Sequence, residues 1–343
     1  MSGPIFEALA VLGKGSSLTE GQARGAVDAI MSGDVPDALV AAFLAGLRVK
    51  GESADELAGA VGAVLDRMTT SADFAGLPSL LDTCGTGGDG ANTVNISTAS
   101  AIVVAACGVP VAKHGNRSAS GNSGSAEVLS VLGVDIQAED AVVRNCLAGL
   151  GITFLYAPRF HPALRFAATV RRQLPFRTLF NMIGPLANPA RPAFQLIGVP
   201  DFRQADLMAA AIARLGVVRA AVVTGHGGLD EVSLDGPTRV VWVESGETEI
   251  RHWEAEEFGL PAVSVESLRV SGPEESARRL RALLSGHPGP DRSIVLANAS
   301  AALLVAGQVE TLAEGVARAS RSIDEGTAAE LLEAWTTMSR GGL

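Results

Sequence analysis

Residues 85–90 form a glycine-rich run, and they are the first positions whose types and spacing could support chemistry. The run holds four glycines and Asp89 in six positions, directly after a short apolar segment that is typical of a β-strand. Glycine permits positive φ angles and close backbone approach, so successive N–H groups can converge on an anion. A tight surface turn needs only one or two glycines. The run therefore predicts a phosphate-binding loop.

The glycine run satisfies GxGxxG, but its context does not fit a dinucleotide-binding loop. The polar residues 91–97 separate it from the next predicted helix, and the next strand ends near Lys113, where a ribose-binding acid would be needed. A P-loop is excluded too, because no lysine has the required spacing. A nicotinamide oxidoreductase is thus kept only as an alternative. Ser97 and Thr98 are natural N-caps for the following helix, whose N-terminus would attract phosphate.

A second polar cluster occupies residues 113–125, between a predicted strand and a predicted helix. It begins with Lys113, His114, Gly115, Asn116 and Arg117, and it continues mainly with hydroxyl-bearing residues and glycines. Lys113 is the only lysine after residue 50 in a chain of net charge −10. Open α/β sheets bind ligands at the carboxyl ends of their strands. We therefore predict a second anion-binding segment here, the alternative being a flexible surface loop.

Arg171 lies on a predicted helix over residues 162–174, where its spacing from Leu164 and Ala168 predicts an inward apolar face. An arginine on such a face needs an anionic partner, because unpaired burial costs free energy. The structural alternative is a snorkelling or salt-bridged arginine. The arginines that fit this structural role better are Arg165, Arg172 and Arg177.

Asp230 and Glu231 are adjacent acids in a loop after a strand that ends at Val223. Mg²⁺ is commonly held by one or two carboxylates together with substrate phosphates and water. A solvated charge pair is the alternative, but two predicted phosphate loops favour the metal site. The five histidines show no HExxH or related spacing, so a zinc site is not supported.

The elements that must position these residues alternate between strand and helix patterns, which predicts an α/β domain with a mostly parallel central sheet and surrounding helices. The predicted strands lie at residues 80–83, 109–112, 152–155, 194–197 and 220–223. The predicted helices lie at residues 98–107, 126–132, 141–150, 162–174 and 203–215. A hairpin is expected over 238–243 and 248–253, and two or three helices are expected after residue 274.

The first residues, up to about 70, show only helical spacing of apolar side chains. We therefore expect a small N-terminal α-helical domain over residues 1–72 and a larger α/β domain over residues 73–343. The charge of −10 disfavours nucleic-acid binding. The longest apolar stretch, residues 99–112, is too short to span a bilayer, and the first residues lack the basic flank of a signal peptide, so a cytoplasmic location is expected.

Taken in chain order, these motifs resemble those of the anthranilate phosphoribosyltransferase family. The matching runs are residues 85–90, 95–98, 113–118, 170–172, 180–181, 184–185 and 228–231. The resemblance covers essentially the whole chain. It implies a homodimer formed through the helical domain and transfer of the phosphoribosyl group of 5-phosphoribosyl 1-diphosphate (PRPP) to the amine of anthranilate, with release of diphosphate and use of Mg²⁺.

The resemblance also implies roles for individual residues, with Lys113 and Arg171 acting in catalysis. The expected PRPP-binding residues are Gly85, Gly88, Asp89, Thr93, Asn95, Ile96, Ser97, Thr98, Lys113, His114, Gly115, Asn116, Arg117, Ser118, Ser120, Gly121 and Ser125. The expected anthranilate-binding residues are Gly85, His114, Asn116 and Arg171, and the expected Mg²⁺ ligands are Ser97, Asp230 and Glu231. A pyrimidine nucleoside phosphorylase of similar architecture and a non-catalytic nucleic-acid-binding relative are the alternatives.

Overall fold

The computed structural model describes residues 3–70, 72, 74, 77, 79–117 and 123–342. The predicted PRPP-binding residues Ser118, Ser120 and Gly121 lie outside this set. The α-helices within it are α1 (Pro4–Leu12), α2 (Glu20–Ser32), α3 (Asp37–Lys50), α4 (Ala54–Asp66), α5 (Ile96–Ala106), α6 (Ser125–Leu132), α7 (Asp140–Leu150), α8 (Ala157–Phe160), α9 (Arg165–Gln173), α10 (Phe180–Leu186), α11 (Phe202–Leu215), α12 (Ala255–Phe258), α13 (Pro273–Leu284), α14 (Pro290–Val305), α15 (Leu312–Asp324) and α16 (Thr327–Ser339).

One mixed sheet forms the centre of the described chain. Its strands are β1 (Leu81–Gly85), β2 (Val111–Gly115), β3 (Ile152–Tyr156), β4 (Phe194–Gly198), β5 (Arg219–Thr224), β6 (Thr238–Glu244) and β7 (Glu247–Trp253). Their order across the sheet is β3-β2-β1-β4-β5-β6-β7. The first five strands in this order are parallel, and the β6–β7 hairpin continues the sheet antiparallel to β5. The predicted small helical domain followed by an α/β domain with a mostly parallel sheet is confirmed.

Alternate side chains of β4, β5 and β6 enter two different hydrophobic cores, as the period of two in a strand requires. On β4, Leu196 enters the core formed with α5, α6 and α13–α16, whereas Ile197 enters the core formed with α1–α4 and α9–α11. The two cores therefore lie on opposite faces of the sheet. Because the N-terminal helices share the second core, they pack as one core with that face of the sheet.

The C-terminal helices differ from the prediction of two or three, because four are present: α13, α14, α15 and α16. Helix α14 is buried nearly all round, so its sequence lacks the amphipathic period that marks a surface helix. Thr311 caps α15 in a capping box with Glu314, and Gly326 with φ of 82° precedes α16. These two caps separate α14, α15 and α16, which the sequence pattern did not resolve as individual helices.

One local prediction near the site, the N-cap of α5, is also wrong, and the predicted inward face of α9 is only partly buried. Helix α5 begins at Ile96 after an Asn95 N-cap, so Ser97 and Thr98 lie inside it. Helix α9 buries Ala167 and Val170, whereas Ala168 and Arg171 lie at the edge of that buried face. Within the part of the chain that is described, no helix combines the length and apolar character needed to cross a membrane.

Candidate active site

The glycine loop lies at the topological switch point of the sheet. The chain leaves β1 toward β2 and β3 on one side and later returns to β4 and β5 on the other. Open α/β sheets bind ligands in the crevice that this reversal creates at the carboxyl ends of the strands. Gly85 ends β1 and begins the glycine loop. Residues 113–115 are the last three of β2, and residues 230–231 lie in the segment after β5.

The glycine loop adopts the backbone conformations that its composition predicts. Gly87, Gly88 and Gly90 have φ of 65°, 86° and 71°, the left-handed region that other residues rarely enter. The Thr86 amide donates to the carbonyl of Gly198 at 2.9 Å, and the Gly87 amide donates to Oδ2 of Asp230 at 2.8 Å. Within the described chain, the amides of Gly88, Asp89 and Gly90 make no hydrogen bond. They are free to bind an anion.

Glycines at three strand ends allow the Asp230–Glu231 segment to pack against the sheet. Gly85 and Gly198 are direct partners in the β1–β4 register. A Cβ at Gly85 would lie 2.9 Å from Asp230 Oδ2, and one at Gly198 would overlap the Asp230 carbonyl oxygen. A Cβ at Gly225 would lie 2.5 Å from the Glu231 carbonyl oxygen. The need for Gly198 and Gly225 was not apparent from the sequence.

Asp230 and Glu231 form an acidic centre without a basic ion-pair partner in the described structure. Burial and the neighbouring Asp89 raise the pKa of Asp230 to about 8. Burial and Asp230 raise the pKa of Glu231 well above its ordinary value. The Glu231 Oε1 atom accepts a hydrogen bond from the Ser97 amide at 3.1 Å. A cation would relieve this unfavourable concentration of negative charge.

The chemistry of this donor set fits Mg²⁺. Among the described residues, no three His, Cys, Asp or Glu side chains are close enough to hold a metal by themselves. Mg²⁺ does not require such a set, because it usually retains water and takes phosphate oxygens from its ligand. Asp230 and Glu231 can supply two carboxylates. The Ser97 amide bonds Glu231, and the Ser97 hydroxyl accepts from Lys113.

A buried residue of α14, Asn298, hydrogen-bonds the backbone next to the acidic turn formed by Asp230 and Glu231. Asn298 of α14 accepts from the Val232 amide at 2.9 Å and donates to the Val232 carbonyl at 3.0 Å. Its side chain is fully buried. The amide group therefore fixes the backbone of the residue that follows Glu231.

Lys113 is placed beneath the site rather than at its surface, with only 2% of its area exposed. Its ammonium group donates to the Thr83 carbonyl and, at 3.1 Å, to the Ser97 hydroxyl. Burial lowers the pKa of Lys113, while the charges of Asp82 and Glu231 oppose this shift. Lys113 therefore acts on the acidic centre through Ser97 and through its charge.

The residue after Lys113 is held by a buried polar network. The His114 amide donates to Oδ1 of Asp82 at 3.2 Å, and Asn188 donates to Oδ2 of Asp82 at 2.9 Å. Nδ1 of His114 lies 3.0 Å from the Gly184 carbonyl oxygen, while Nε2 is buried without a partner in the described chain. Burial lowers the pKa of His114 to about 3, so the ring is neutral at physiological pH.

Two predicted donor-binding residues, Asn95 and Thr98, and one residue that was not predicted, Ser123, have polar side-chain atoms without partners in the described structure. These atoms are Oδ1 of Asn95, Oγ1 of Thr98 and Oγ of Ser123. Asn95 also donates from Nδ2 to the Ser123 carbonyl at 3.4 Å, which brings α5 and the second polar segment together. Buried polar groups usually have hydrogen-bond partners, so this cluster indicates a polar ligand.

The remaining predicted residues have mixed placements. The Ser125 hydroxyl donates to the Asn116 carbonyl at 3.3 Å, and a Cβ at Gly115 would overlap that hydroxyl. Thr93 instead pairs with Arg269 in an isolated bridge. The Ile96 side chain is buried in the core behind the site. Arg117 lines an open cavity with Asp135 and Arg340.

Arg171 has no anionic partner within the described residues. Its guanidinium carbon lies 5.5 Å from the centroid of the Phe180 ring, a cation–π contact. Burial lowers the pKa of Arg171 without a compensating charge. A partly buried arginine in this state can bind a carboxylate from a ligand.

Arg177 was expected to be a snorkelling or salt-bridged arginine, but in the structure it hydrogen-bonds the glycine loop. Its Nη1 donates to the Gly87 carbonyl at 2.5 Å, and its Nη2 donates to the Thr86 carbonyl at 2.8 Å. These are backbone groups of the glycine loop itself. No spacing in the sequence connects residues that lie 90 positions apart, and Arg177 resembles its neighbouring arginines.

Such a site, at the switch point of a sheet joined to a helical bundle, defines a two-part glycosyl transferase. Residues 6–68 match the glycosyl transferase family helical bundle domain, and residues 77–329 match the glycosyl transferase family a/b domain. The chain belongs to this family, and within it to the anthranilate phosphoribosyltransferases, as the following similarities show.

The chain is 44% identical to the anthranilate phosphoribosyltransferase of Methylobacterium nodulans, over 96% of this chain and 97% of that protein. It is 46% identical to that of Rhodospirillum rubrum, over 94% and 92%. The Thermus thermophilus enzyme superposes with a TM-score of 0.91 and 38% identity, over 99% and 100%. The Saccharomyces cerevisiae enzyme in complex with PRPP and Mg superposes with a TM-score of 0.87 and 29% sequence identity, over 98% of each chain.

Proposed function

We propose that this chain transfers the phosphoribosyl group of PRPP to the amino group of anthranilate, a reaction of tryptophan biosynthesis. The observation that carries the proposal is the hydrogen bond from the Gly87 amide to Asp230, which joins an anion-binding loop to an acidic turn at the switch point. A diphosphate with a divalent cation is the ligand that needs both. The family membership of the chain supports the same reaction.

In this reaction the nitrogen lone pair of anthranilate attacks C1 of the ribose, and the C1–O bond breaks with its electron pair passing to diphosphate. The amine loses one proton to solvent. Positive charge builds on the ribose ring, as in other glycosidic bond cleavages. No general base is required, because the attacking aromatic amine is neutral. The residues must therefore orient the two substrates and stabilise the departing negative charge.

The donor would lie along the glycine loop and the start of α5. The amides of Gly88, Asp89 and Gly90 are available to the phosphate oxygens, as are the unpartnered atoms of Asn95 and Thr98. Backbone amides and a helix N-terminus bind phosphate without carrying a full charge. This arrangement supports donor binding in a chain of net charge −10.

Asp230, Glu231 and the Ser97 hydroxyl would hold Mg²⁺, directly or through water. The ion would neutralise charge on the leaving diphosphate. Lys113 holds the Ser97 hydroxyl in place, and its ammonium group offsets part of the negative charge of Glu231.

The acceptor would lie toward Arg171, Asn116 and His114. A guanidinium can bind a carboxylate through two parallel hydrogen bonds, and Arg171 has no competing acid in the described chain. His114 is neutral and presents an unpartnered Nε2. It would serve as a hydrogen-bonding group rather than as a cation. We further propose a homodimer and a cytoplasmic location.

Anthranilate fluorescence tests the function directly. The purified protein should consume anthranilate only when both PRPP and Mg²⁺ are present, and chelation should stop the reaction. The Asp230→Asn variant provides the matched control for contaminating activity. Phosphorolysis of uridine or thymidine without anthranilate turnover would overturn the proposal and favour a nucleoside phosphorylase.

A further inference from the structure

The guanidinium of Arg177 binds the two carbonyl groups that begin the glycine loop. Nη2 donates to Thr86 and Nη1 to Gly87, so the planar group holds two successive peptide units in one orientation. The amides of these two residues in turn donate to Gly198 and Asp230. The Arg177 side chain therefore fixes residues 86 and 87, which directly precede the free amides of residues 88–90.

The backbone around Arg177 is itself well anchored. The Thr178 amide donates to Oδ1 of Asn181 at 2.9 Å, and the Asn181 amide donates to the Thr178 carbonyl at 2.9 Å. Thr178 and Leu179 are buried. Arg177 thus precedes a hydrogen-bonded turn between α9 and α10. Because this turn is anchored, Arg177 can hold the glycine loop in one position.

The carboxylates near Arg177 belong to the part of the site where we propose that the diphosphate and Mg²⁺ bind. Asp230 and Asp89 are the carboxylates whose charges act on its guanidinium. Its Nε is buried without a partner in the described structure. Gly88 is shaped to this side chain, since a Cβ there would overlap Nη1, whereas one at Gly90 would meet nothing within 4 Å.

We propose that Arg177 is a positioning residue for the donor, which sets the geometry of the glycine loop so that the amides of residues 88–90 face the diphosphate. The inference rests on the proposed function, because the diphosphate is part of PRPP. Arg177 acts through the loop backbone. It should therefore affect the donor and leave the anthranilate contacts of Arg171 in place.

The test compares Arg177→Ala, Arg177→Gln and Arg177→Lys in the full-length protein. We expect Arg177→Ala to raise the KM and the Kd for PRPP by about tenfold or more, the scale for losing charge-assisted hydrogen bonds. The KM for anthranilate should change much less. Added guanidinium ion should restore part of the PRPP affinity to Arg177→Ala, and thermal unfolding would verify that the variants are folded.

A double-mutant cycle gives a second readout. Gly88→Ala should weaken PRPP binding strongly in the parent protein and less in the Arg177→Ala background, because the overlap with Nη1 is then gone. Gly90→Ala has similar φ strain and no overlap, so its effect should be the same in both backgrounds. Equal shifts in both KM values, or no coupling between Gly88 and Arg177, would overturn the assignment. A parent protein that binds PRPP but lacks turnover would refute the proposed function and leave the Kd test of Arg177 intact.

Discussion

The carboxylate of Asp230 accepts a hydrogen bond from the amide of Gly87 at 2.8 Å, across 143 positions of sequence. One acid thereby contacts the loop that we propose binds phosphate, and the same acid is a proposed Mg²⁺ ligand. The two sites should consequently be coupled, because a cation that draws on Asp230 also acts on the residue that orders the loop. Donor binding and metal binding should each strengthen the other by the same factor.

The acidic turn provides the first prediction. Replacing Asp230 with Asn and Glu231 with Gln should abolish most activity and its dependence on Mg²⁺, because the neutral amides no longer attract the cation. The loss should exceed the roughly 10- to 100-fold expected for removing only an outer partner of a metal ligand. Steady-state rates over a Mg²⁺ titration provide the measurement. A fully active double variant would refute the metal site.

Arg171 provides the second prediction. Arg171→Ala should raise the KM for anthranilate by roughly ten- to hundredfold, which corresponds to about 1.5–3 kcal/mol for a charge-assisted hydrogen bond. The KM for PRPP should change little. Arg172→Ala is the matched control, since the neighbouring arginine is exposed and should tolerate the change. Unchanged anthranilate kinetics in Arg171→Ala would remove the assignment.

The raised pKa of Asp230 provides a third prediction, on stability against pH. In metal-free protein this pKa is about 8 when folded and near 3.8 in an unperturbed carboxyl, so the folded state binds the proton more tightly. The contribution of Asp230 to stability is therefore fully present below about pH 4 and is lost as the pH rises through about 8.

Thermal unfolding with a chelator, from about pH 4 to about pH 8, measures this dependence. Asp230→Asn should show a smaller fall in Tm across the range, because it has no proton to lose. Mg²⁺ should stabilise the parent most at the alkaline end, where its carboxylates are charged. Identical pH profiles for parent and variant would contradict the prediction.

The bond pair between Asn298 and Val232 provides the fourth prediction. Asn298→Ala should lower the free energy of unfolding by about 1–3 kcal/mol, since it leaves buried backbone groups without partners. It should also raise the Mg²⁺ concentration needed for half-maximal activity. Ser300→Ala is the control, because Ser300 is buried in the same helix but bonds Leu312 instead. If the two variants require the same Mg²⁺ concentration, Asn298 does not support the proposed metal site.

Residue types and local spacing identify much of this site. The glycine loop, the Lys113 segment and the Asp230–Glu231 pair are short motifs at strand ends, and the alternation of patterns predicts the sheet that aligns those ends. Their assembly then follows from the rule that parallel strands present their carboxyl ends at one edge. The individual roles of these residues remain predictions.

Other parts of the site could not be predicted because they depend on contacts between distant residues. Arg177 reaches Gly87 across 90 positions, Asn188 reaches Asp82 across 106, and Asn298 reaches Val232 across 66. None of the three belongs to a motif of its own. The extra C-terminal helix was missed for a related reason, since a helix buried on all sides carries no periodic signal.

The position of Asn298 bears on how the protein is made. Ribosomes deliver a chain from its N-terminus, so the glycine loop and every strand of the described sheet emerge before the helix that carries Asn298. A nascent chain would thus possess its phosphate-binding elements while its acidic turn is still unsupported. Mg²⁺ should consequently be of little help to early folding, and catalytic competence should arise late in biogenesis, when α14 docks.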